Sequence, residues 1–275
     1  MKPIYEQGYI IPVIENSDGH YIACARALAK SIKYWQPQSK VCLLTNEKIG
    51  DKEKNIFDHV SPFPFQINEN PLANDWQVFY ATPFRQTIKI ESDVVLSGSI
   101  EHWWQCLQHK DIFIPTGCKN FYGKTSTERF YRRVFDENNF PDVYNAITYW
   151  RYSKEAKNFF DTVRFIFENW NIVKKSFKGI NLNKPADTDT VYAIACILIG
   201  EETLTEPFSD FFNFVHLKSK HNYCENEYWN DHLTWEFVDG KLKINSFYQS
   251  YPVHYYNKTF SKKIEEHYDK LLGWF

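Results

Sequence analysis

Two acidic side chains in an otherwise apolar segment are the first candidates for chemistry. Glu91 and Asp93 stand two residues apart in TIKIESDVVL at 87–96, a pattern that predicts a strand with both carboxylates on one face. Such carboxylates repel each other and burial raises their pKa values, so a cation would relieve both costs. Mg²⁺ and Mn²⁺ prefer oxygen ligands and often bridge a protein carboxylate to phosphates. The pair therefore predicts a metal–diphosphate site; the alternative is a solvated edge-strand pair, or a salt bridge to Lys89 or Arg85.

The elements that would position this pair follow from the periodicity of the apolar residues. An apolar run at 9–15, a helical pattern from Ile22 to Trp35 and a buried strand at 40–45 form a strand–helix–strand unit, which predicts a parallel sheet. Further strands are expected at 58–65, 87–96, 111–115, 143–151, 211–217 and 252–256, and further helices at 74–82, 100–107, 130–135, 153–170, 187–199 and 261–272. A loop is expected at 116–128 and a hairpin around Asp239-Gly240. The predicted fold class is α/β, with a mixed, mostly parallel central sheet flanked by helices in a single domain.

The composition excludes several classes of protein. With 275 residues, 43% hydrophobic and 18% aromatic, the chain can bury a large core, which excludes wholesale disorder. Lys and Arg number 32 against 34 Asp and Glu, so the net charge of −2 excludes polybasic binding but leaves a local basic groove open. The six cysteines form no CxxC pair, and reduced thiols inside a cell are expected. Because no segment resembles a signal peptide or a membrane span, we expect a soluble, cytoplasmic protein with no membrane partner.

Two histidines are candidates to complete a metal site. His254 and Lys258 stand four apart in YPVHYYNK near the end of the chain. A neutral imidazole beside two carboxylates would form a mixed nitrogen and oxygen site suited to Mn²⁺. His216, in FVHLKSK with Lys218, competes for the same role. One of the two histidines is expected as the ligand and the other as a contact to a substrate; for His254, the structural alternative is a tyrosine-packed core histidine.

A second acidic pair, Asp187 and Asp189, begins the helix expected at 187–199. Acidic residues at a helix N-terminus stabilise the helix dipole by about 0.3–1 kcal/mol, which is a sufficient structural explanation for both. Either is also available to act in catalysis or to contact a substrate hydroxyl. We favour Asp189 for that role and Asp187 for the cap.

The order of these motifs resembles that of the GT-A glycosyltransferases, in which a DxD motif holds a divalent ion and the diphosphate of a sugar nucleotide. Glu91-Ser92-Asp93 stands at the DxD position, with Glu in place of the commoner first Asp. The other matching segments are HYIACARALAKSIKYW, KVCLLTN, NAITYWRYS, PADTDTVYAIA and YPVHYYNK, and the last resembles the His-plus-Lys element of the glycogenin-like members. The pattern, with EHWW after the acidic motif, is also similar to glycosyltransferases carried by tailed phages.

The resemblance implies a GT-A-like (Rossmann-like) domain spanning 1–275, with a nucleotide-binding half at about 1–115 and an acceptor-side half at about 116–275. It implies Mn²⁺ or Mg²⁺ held by Glu91, Asp93 and His254, and catalysis near Asp189 and Asp187. The donor would be a nucleotide diphosphate sugar, with a UDP-sugar favoured. The expected donor contacts are Val13, Glu15, Tyr21, Asn46, Arg85, Lys89, Ser92, His216, Lys218 and Lys258.

The acceptor side is suggested by arginines and by one strand. ERFYRR at 128–133 interleaves Arg129, Arg132 and Arg133 with aromatic residues, a combination that suits stacking and phosphate contacts on DNA; the alternative is a solvated surface. In NAITYWRYS, the resemblance implies that Asn145 and Tyr149 face the acceptor. Because phage enzymes of this kind include ones that modify DNA bases, we expect a hydroxymethylated or already glycosylated base as the acceptor, in the host cytoplasm.

Two other functions compete with glycosyl transfer. A sugar-nucleotide nucleotidyltransferase would also use an α/β sheet, a metal and carboxylates, but it would normally carry a Gly-rich phosphate loop near the first strand, and none stands there. A non-catalytic DNA-binding protein on the same fold would bind DNA without any metal-dependent binding of nucleotides.

Overall fold

The computed structural model describes residues 3–15, 20–181, 183–200, 204–205, 210–217 and 229–274. The strands are β1 (Tyr5–Pro12), β2 (Val41–Leu44), β3 (His59–Ser61), β4 (Phe84–Ile90), β5 (Val94–Val95), β6 (Ile112–Phe113), β7 (Cys118–Lys119), β8 (Thr125–Ser126), β9 (Ile147–Arg151), β10 (Val215–His216), β11 (Trp235–Val238), β12 (Lys241–Ile244), β13 (Phe247–Tyr248) and β14 (Val253–His254). The helices are α1 (Tyr21–Trp35), α2 (Asp51–Lys54), α3 (Val78–Ala81), α4 (His102–Leu107), α5 (Arg132–Asn138), α6 (Lys154–Glu168), α7 (Trp170–Val173), α8 (Thr188–Ile199), α9 (Trp229–His232) and α10 (Ser261–Leu272), with 3₁₀ segments at Pro71–Gln77, Lys174–Ser176 and Lys258–Phe260.

The central sheet has the strand order β3-β2-β1-β4-β9-β6. β3, β2, β1 and β4 are parallel to one another, and β9 runs antiparallel to β4 and β6. The chain moves from β1 to β2 on one side, whereas β4 lies on the other side of β1. The carboxyl ends of β1 and β4 therefore flank a topological switch point, where open α/β sheets bind ligands. The mixed, mostly parallel α/β architecture expected from the sequence is confirmed.

Each face of the central sheet has its own apolar core, because successive side chains of a strand point to opposite faces. Ile10 and Leu44 belong to a core that includes residues of α6 and α8. Tyr9 and Leu43 belong to a second core that includes residues of α1 and α4. Val41–Leu44 is buried throughout, as expected for a strand that helices cover on both faces.

A second sheet, ordered β5-β14-β10-β7-β8, brings distant parts of the chain together. β14 pairs antiparallel with β5, with His254 opposite Val94, and parallel with β10, with His216 opposite His254. This pairing holds the C-terminal segment beside the end of β4. The hairpin expected around Asp239-Gly240 is confirmed as the antiparallel pair of β11 and β12.

The strand expected at 87–96 is not continuous. β4 ends at Ile90, Glu91 to Asp93 form a turn, and β5 then joins the second sheet. The expectation that strand alternation sets the two carboxylates on one face is therefore wrong. The change of sheet explains the break, because the backbone at Asp93 accepts a hydrogen bond from Tyr255 N at 3.0 Å instead of continuing the ladder of β4.

Two further differences concern short elements. The segment at 116–128, expected to be a loop, contains the hairpin of β7 and β8. The helix expected at 74–82 consists of the 3₁₀ segment Pro71–Gln77 followed by α3. In the part of the chain that the structure describes, no helix combines the length and the apolar character needed to cross a bilayer.

Candidate functional site

A cavity of about 630 Å³ lies at the switch point between β1 and β4. Its lining includes Val13, Tyr21, Asp75, Glu91, Ser92, Asp93, Tyr131, Asp187, Thr188, Asp189, His216, His254, Tyr256 and Lys258. Its size is within the range of about 300–1,000 Å³ that is usual for ligand sites. The elements that contribute are distant in sequence, and the two sheets bring them to one place.

The acidic turn meets the C-terminal segment at one part of this cavity. Asp93 is 4% exposed, and its Oδ2 lies 3.0 Å from His254 Nε2 and 2.5 Å from Lys258 Nζ. Glu91 Oε2 lies 3.7 Å from His254 Nε2. One ligand atom from each of Glu91, Asp93 and His254 lies within 4.8 Å of the other two. The three residues expected to bind metal thus converge.

The electrostatics of this cluster keep its charges in place. Burial raises the pKa of Asp93, but the imidazole of His254 and the ammonium of Lys258 more than offset this and hold it below its usual range. Burial lowers the pKa of Lys258, and Asp93 reverses that effect and raises it above its ordinary value. At neutral pH, Asp93 therefore carries a negative charge and Lys258 a positive one.

The donor set fits a divalent cation. Two carboxylates and one imidazole nitrogen are a mixed oxygen and nitrogen set of the kind that Mn²⁺ accepts. Asp93 is ionised and almost completely buried, and deprotonated ligands are what metal binding requires. Lys258 Nζ already lies against Asp93 Oδ2, so an ammonium and a metal ion would compete for this oxygen.

His216 lies directly behind His254. The two imidazole rings stack with their centroids 4.5 Å apart and their planes 4° apart, because the parallel pairing of β10 and β14 sets the residues side by side. Both histidines line the cavity. His254 is the one that lies close enough to Glu91 and Asp93 to share a metal ion with them. Lys218 lies outside the described residues.

The N-terminal end of α8 forms another part of the cavity lining. Asp187 is the N-cap, and its carboxylate accepts hydrogen bonds from Thr190 N and Thr190 Oγ1, both at 2.8 Å. Asp189 accepts hydrogen bonds from Tyr131 Oη at 2.8 Å and from Asn145 N at 2.9 Å. Burial and the neighbouring Asp189 raise the pKa of Asp187. Asp187 is thus committed to the helix end, whereas Asp189 is held by groups from other elements.

Lys89 connects the two parts of the site through Asp75, a residue that the sequence analysis missed. The Lys89 side chain is fully buried, and its Nζ lies 2.8 Å from Asp75 Oδ1 and 4.0 Å from Glu91 Oε1. It also donates to the Asn145 carbonyl at 2.9 Å. Asp75 accepts a further hydrogen bond from the Tyr192 hydroxyl. A lysine in a buried central strand was the available signal, because a buried cation needs a nearby anion.

Several expected donor contacts line the cavity. Val13, Tyr21 and Ser92 are all part of its wall. Lys258 Nζ lies 5.4 Å from the centre of the Tyr21 ring, within cation–π distance. These residues surround the acidic turn and lie at the carboxyl end of β1, at the start of α1 and in the turn itself.

Glu15 and Asn46 have structural roles instead. Glu15 accepts hydrogen bonds from Tyr21 N at 3.2 Å and from Ile22 N at 2.6 Å, and so satisfies the first turn of α1. Asn46 is exposed, and its Oδ1 accepts from Phe63 N at 2.9 Å. Neither belongs to the described lining of the cavity, so their expected donor contacts stay predictions.

Arg85 is misplaced for a role at the acidic turn. It is exposed near the start of β4, whereas Glu91 directly follows the end of that strand. Six residues of extended chain span about 20 Å. The alternative of a salt bridge from Arg85 to the acidic pair is therefore wrong, and the expected phosphate contact stays a prediction.

The three arginines of ERFYRR do not form an open basic groove. Arg129 is 4% exposed, and its guanidinium lies 3.7 Å from the centre of the Phe135 ring and 4.0 Å from that of Tyr144. Arg132 is paired with Asp136 and Asp142, and Arg133 with Glu137. All three arginines therefore have acidic partners within the protein, and binding of a polyanion by them stays a prediction.

Asn145 and Tyr149, the expected acceptor contacts, are both buried. Asn145 is 1% exposed, and its side-chain amide donates to Asp75 Oδ2 at 3.2 Å. Tyr149 is fully buried on β9, with its hydroxyl 3.0 Å from Gln86 Oε1. Neither belongs to the described cavity lining, and Tyr149 lies on β9, within the sheet between β4 and β6.

Comparisons with known proteins place this geometry in a fold family. No family model and no curated protein match the chain, but solved structures do. An active-site mutant of LgtC matches 94% of this chain and 95% of its own, with a TM-score of 0.51 and 10% identity. GlyE of Streptococcus pneumoniae TIGR4 has a TM-score of 0.45 and 9% identity, and mouse xyloside xylosyltransferase 1 has 0.46 and 11%. The match to GlyE covers 74% of this chain and 45% of GlyE. The match to the xylosyltransferase covers 83% of this chain and 90% of that enzyme.

The likeness to LgtC, described as a galactosyltransferase, extends over nearly the whole of both chains. It shows that the chain has the GT-A fold of glycosyltransferases, as the order of motifs implied. The chain spans less than half the length of GlyE.

Proposed function

We propose that this protein is a metal-dependent glycosyltransferase that moves a sugar from a nucleotide diphosphate sugar to an acceptor hydroxyl. The observation that carries the proposal is the convergence of Glu91, Asp93 and His254, with Lys258, on a cavity at the switch point of a GT-A sheet. A cation beside an ammonium at this position suits a diphosphate.

The proposed metal ligands are Glu91, Asp93 and His254, and the proposed ion is Mn²⁺ or Mg²⁺. A divalent ion bound there would neutralise the negative charge that develops on the leaving diphosphate. The departure from a DxD motif is compatible with this role, because Glu91 and Asp93 reach the same imidazole from a turn and need no common strand face.

Lys258 is proposed to bind the diphosphate itself. It keeps its charge despite burial, because Asp93 raises its pKa. Its side chain is partly exposed to the cavity, at 22%, so the ammonium has donors available for phosphate oxygens. Lys89 is proposed to act through the acids and not by contacting the donor. Its ammonium lies between Asp75 and Glu91 and reduces the repulsion among the acids of the cavity.

Asp189 is proposed to act at the sugar. Tyr131 and the Asn145 backbone fix its carboxylate from two sides, and Asp189 lines the cavity. A carboxylate held in this way can accept a hydrogen bond from a sugar hydroxyl in a fixed geometry, or stabilise positive charge at the reaction centre. Asp187 supports the arrangement by capping α8.

The proposed donor is a UDP-sugar, with its base near Val13 and Tyr21. For the acceptor, the resemblance to phage enzymes favours a hydroxymethylated or already glycosylated DNA base. The proposal of DNA rests on that resemblance, since the arginines expected to hold DNA are paired with acidic residues of the protein. The halves at 1–115 and 116–275 are proposed to serve donor and acceptor, respectively.

Calorimetric titration with UDP tests the donor site. We expect UDP to bind with Mn²⁺ present and to lose most of its affinity when EDTA removes the ion. Equal affinity in both conditions would contradict the proposed metal role. Mass spectrometry of DNA and of small glycans, after incubation with a panel of nucleotide sugars, would then identify donor and acceptor; DNA binding with no metal-dependent nucleotide binding would instead favour a non-catalytic DNA-binding protein.

A further inference from the structure

A second cavity, of about 170 Å³, lies at the other end of the central sheet from the candidate site. Its lining includes Gln7 and Gly8 of β1, whereas the first cavity begins at Pro12 of the same strand. Gly8 and Pro12 are four positions apart on this strand, which corresponds to about 13 Å. The second cavity is therefore distinct from the proposed donor site.

Two tryptophans form apolar walls of this cavity, and other contacts hold both. Trp35 ends α1, and its indole donates to the Tyr268 hydroxyl at 3.3 Å. Trp104, on α4, is 5% exposed, and its ring centroid lies 5.2 Å from that of Tyr9. Because packing fixes both indoles, the cavity is preformed and needs little rearrangement to accept a ligand.

A buried amide in the same wall has one end unsatisfied. Gln36 is 3% exposed and lines the cavity. Its Oε1 accepts hydrogen bonds from Tyr9 Oη at 2.7 Å and from Ser39 Oγ at 3.3 Å. Its Nε2 is buried and has no hydrogen-bond partner among the residues that the structure describes. Buried polar groups are nearly always hydrogen-bonded, so an acceptor oxygen on a ligand would account for this amide.

The charges around the cavity indicate a neutral ligand. Glu101 contributes a carboxylate to the lining, and Lys40 contributes an ammonium that already binds Asp58 Oδ1 at 2.9 Å. An anion such as a phosphate would face Glu101 without a free cation among the described lining residues. The remaining polar groups are amides and a hydroxyl, which suit uncharged hydroxyl groups.

The size and the chemistry of the walls together define the ligand class. The volume is below the range of about 300–1,000 Å³ of sites for drug-sized molecules, so the cavity suits a single small ring. A pyranose has apolar C–H faces that pack on indoles and hydroxyls that bond to amides. We propose that this cavity binds one neutral pyranose unit, with Gln36 Nε2 donating to one of its oxygens. This site goes beyond the proposed transfer reaction and does not depend on it.

Saturation-transfer NMR of the full chain with methyl β-D-glucopyranoside and methyl β-D-galactopyranoside tests this site. We expect binding of at least one glycoside, with a Kd of millimolar order. Gln36→Leu removes the donor, and Ser39→Phe places a ring at the half-buried rim; each should weaken binding about tenfold or more. Asp93→Asn, in the other cavity, should leave this binding unchanged.

Three results would overturn the proposal. The first is no binding of either glycoside to the wild-type protein. The second is binding that persists at full strength in Ser39→Phe with an unchanged circular dichroism spectrum, which keeps the test valid even where Gln36→Leu fails to fold. The third is tighter binding of glucose 6-phosphate than of the neutral glucoside, because the proposed site has no free cation to favour a phosphate.

Discussion

Asp93 and Asp187 line the same cavity, and their pKa values shift in opposite directions. Burial raises both values, but His254 and Lys258 more than reverse the effect at Asp93. At Asp187 the largest effect of a neighbouring charge comes from another acid, Asp189, and the pKa stays raised. One part of the cavity is thus organised by opposite charges in close contact. In the other part, neutral donors bind the Asp189 carboxylate directly and the Arg129 guanidinium lies further away, at 3.8 Å.

This difference suggests a division of labour. A cluster of acidic and basic side chains can bind a metal ion and a diphosphate. The acids can leave their ion pairs to bind the metal, and the bases can leave theirs to bind the phosphates. A carboxylate held by a hydroxyl and one backbone amide, as Asp189 is, is suited to orienting a sugar. Substitutions in the two parts should therefore have different effects on binding and turnover.

The largest effect is expected from Asp93→Asn. The change removes the most buried charge of the proposed metal set and leaves Lys258 and His254 without their anion. We expect UDP release from the UDP-sugar to slow by roughly 100- to 1,000-fold and Mn²⁺-dependent UDP binding to be lost, as measured by coupled assay and calorimetry. Asp51→Asn, an acid on the surface with a side chain 97% exposed, is the matched control. Turnover at the wild-type rate in Asp93→Asn would contradict the proposed metal role of the Asp93 cluster, and with it the division of labour between this cluster and Asp189.

Lys258→Met separates the diphosphate contact from the metal contact. A hydrogen bond to a charged group contributes about 1.5–3 kcal/mol, so UDP affinity at fixed Mn²⁺ should fall by roughly 10- to 100-fold. Affinity for Mn²⁺ alone should not fall, because Asp93 loses the ammonium that competes for its oxygen. Calorimetry measures both, with Lys54→Met as the exposed control. A parallel loss of both affinities would show that Lys258 acts by holding the acidic turn.

Asp189→Asn should change turnover and leave donor binding nearly intact. The amide cannot accept from both Tyr131 and the Asn145 backbone as the carboxylate does. We expect kcat to fall about tenfold, the equivalent of one hydrogen bond, with the affinity for UDP unchanged. Tyr131→Phe removes one of the two donors and should give a smaller loss. A fall in UDP affinity as large as the fall in kcat would contradict a role at the sugar.

Asp187→Asn tests the other side of the comparison through stability. The pKa of Asp187 in the folded state is raised, so protonation of Asp187 stabilises the folded protein. This stabilisation is complete at pH values below the pKa of the unfolded state, about 3.9. It is lost as the pH rises through the pKa of the folded state. Asn caps helices as well as Asp does and removes the repulsion by Asp189, while the attraction of Arg129 for the ionised Asp187 is also lost. We expect the free energy of unfolding at pH 7 to rise by the order of 1 kcal/mol.

Urea denaturation followed by circular dichroism measures this difference. The stabilisation should disappear below about pH 4, where Asp187 is protonated in both the folded and the unfolded states. If the variant and the wild type differ in free energy of unfolding by the same amount at pH 7 and at pH 3.5, then capping geometry, and not charge, causes the difference.

The elements that depend on local pattern were predicted well. The strand expected at 40–45 is Val41–Leu44, and the helix expected at 261–272 is Ser261–Leu272. Apolar spacing and capping residues act over a few positions, so one stretch of sequence contains the information. The strand expected at 87–96 failed because β5 leaves the first sheet to pair with β14, and its partner stands more than 150 residues further along the chain.

The candidate site was predictable in its residue types and less so in its contacts. Glu91, Asp93, His254 and Lys258 were found from motifs and their order, and they converge. Asp75 was missed because it belongs to no motif and acquires its importance only beside Lys89. Arg129 appeared free for an acceptor, whereas its charge is used against Asp189 and two aromatic rings.

The amino-acid sequence by itself determined the alternation of strands and helices, the fold class and the acids that end up in the cavity, because hydrophobic period and residue chemistry are local properties. The tertiary structure alone decided which charges face each other: that His254 rather than Arg85 meets the acidic turn, and that Lys89 pairs with Asp75. The reason is that electrostatic interaction depends on distance in space and on burial, and both are set by the pairing of strands that are far apart in the chain.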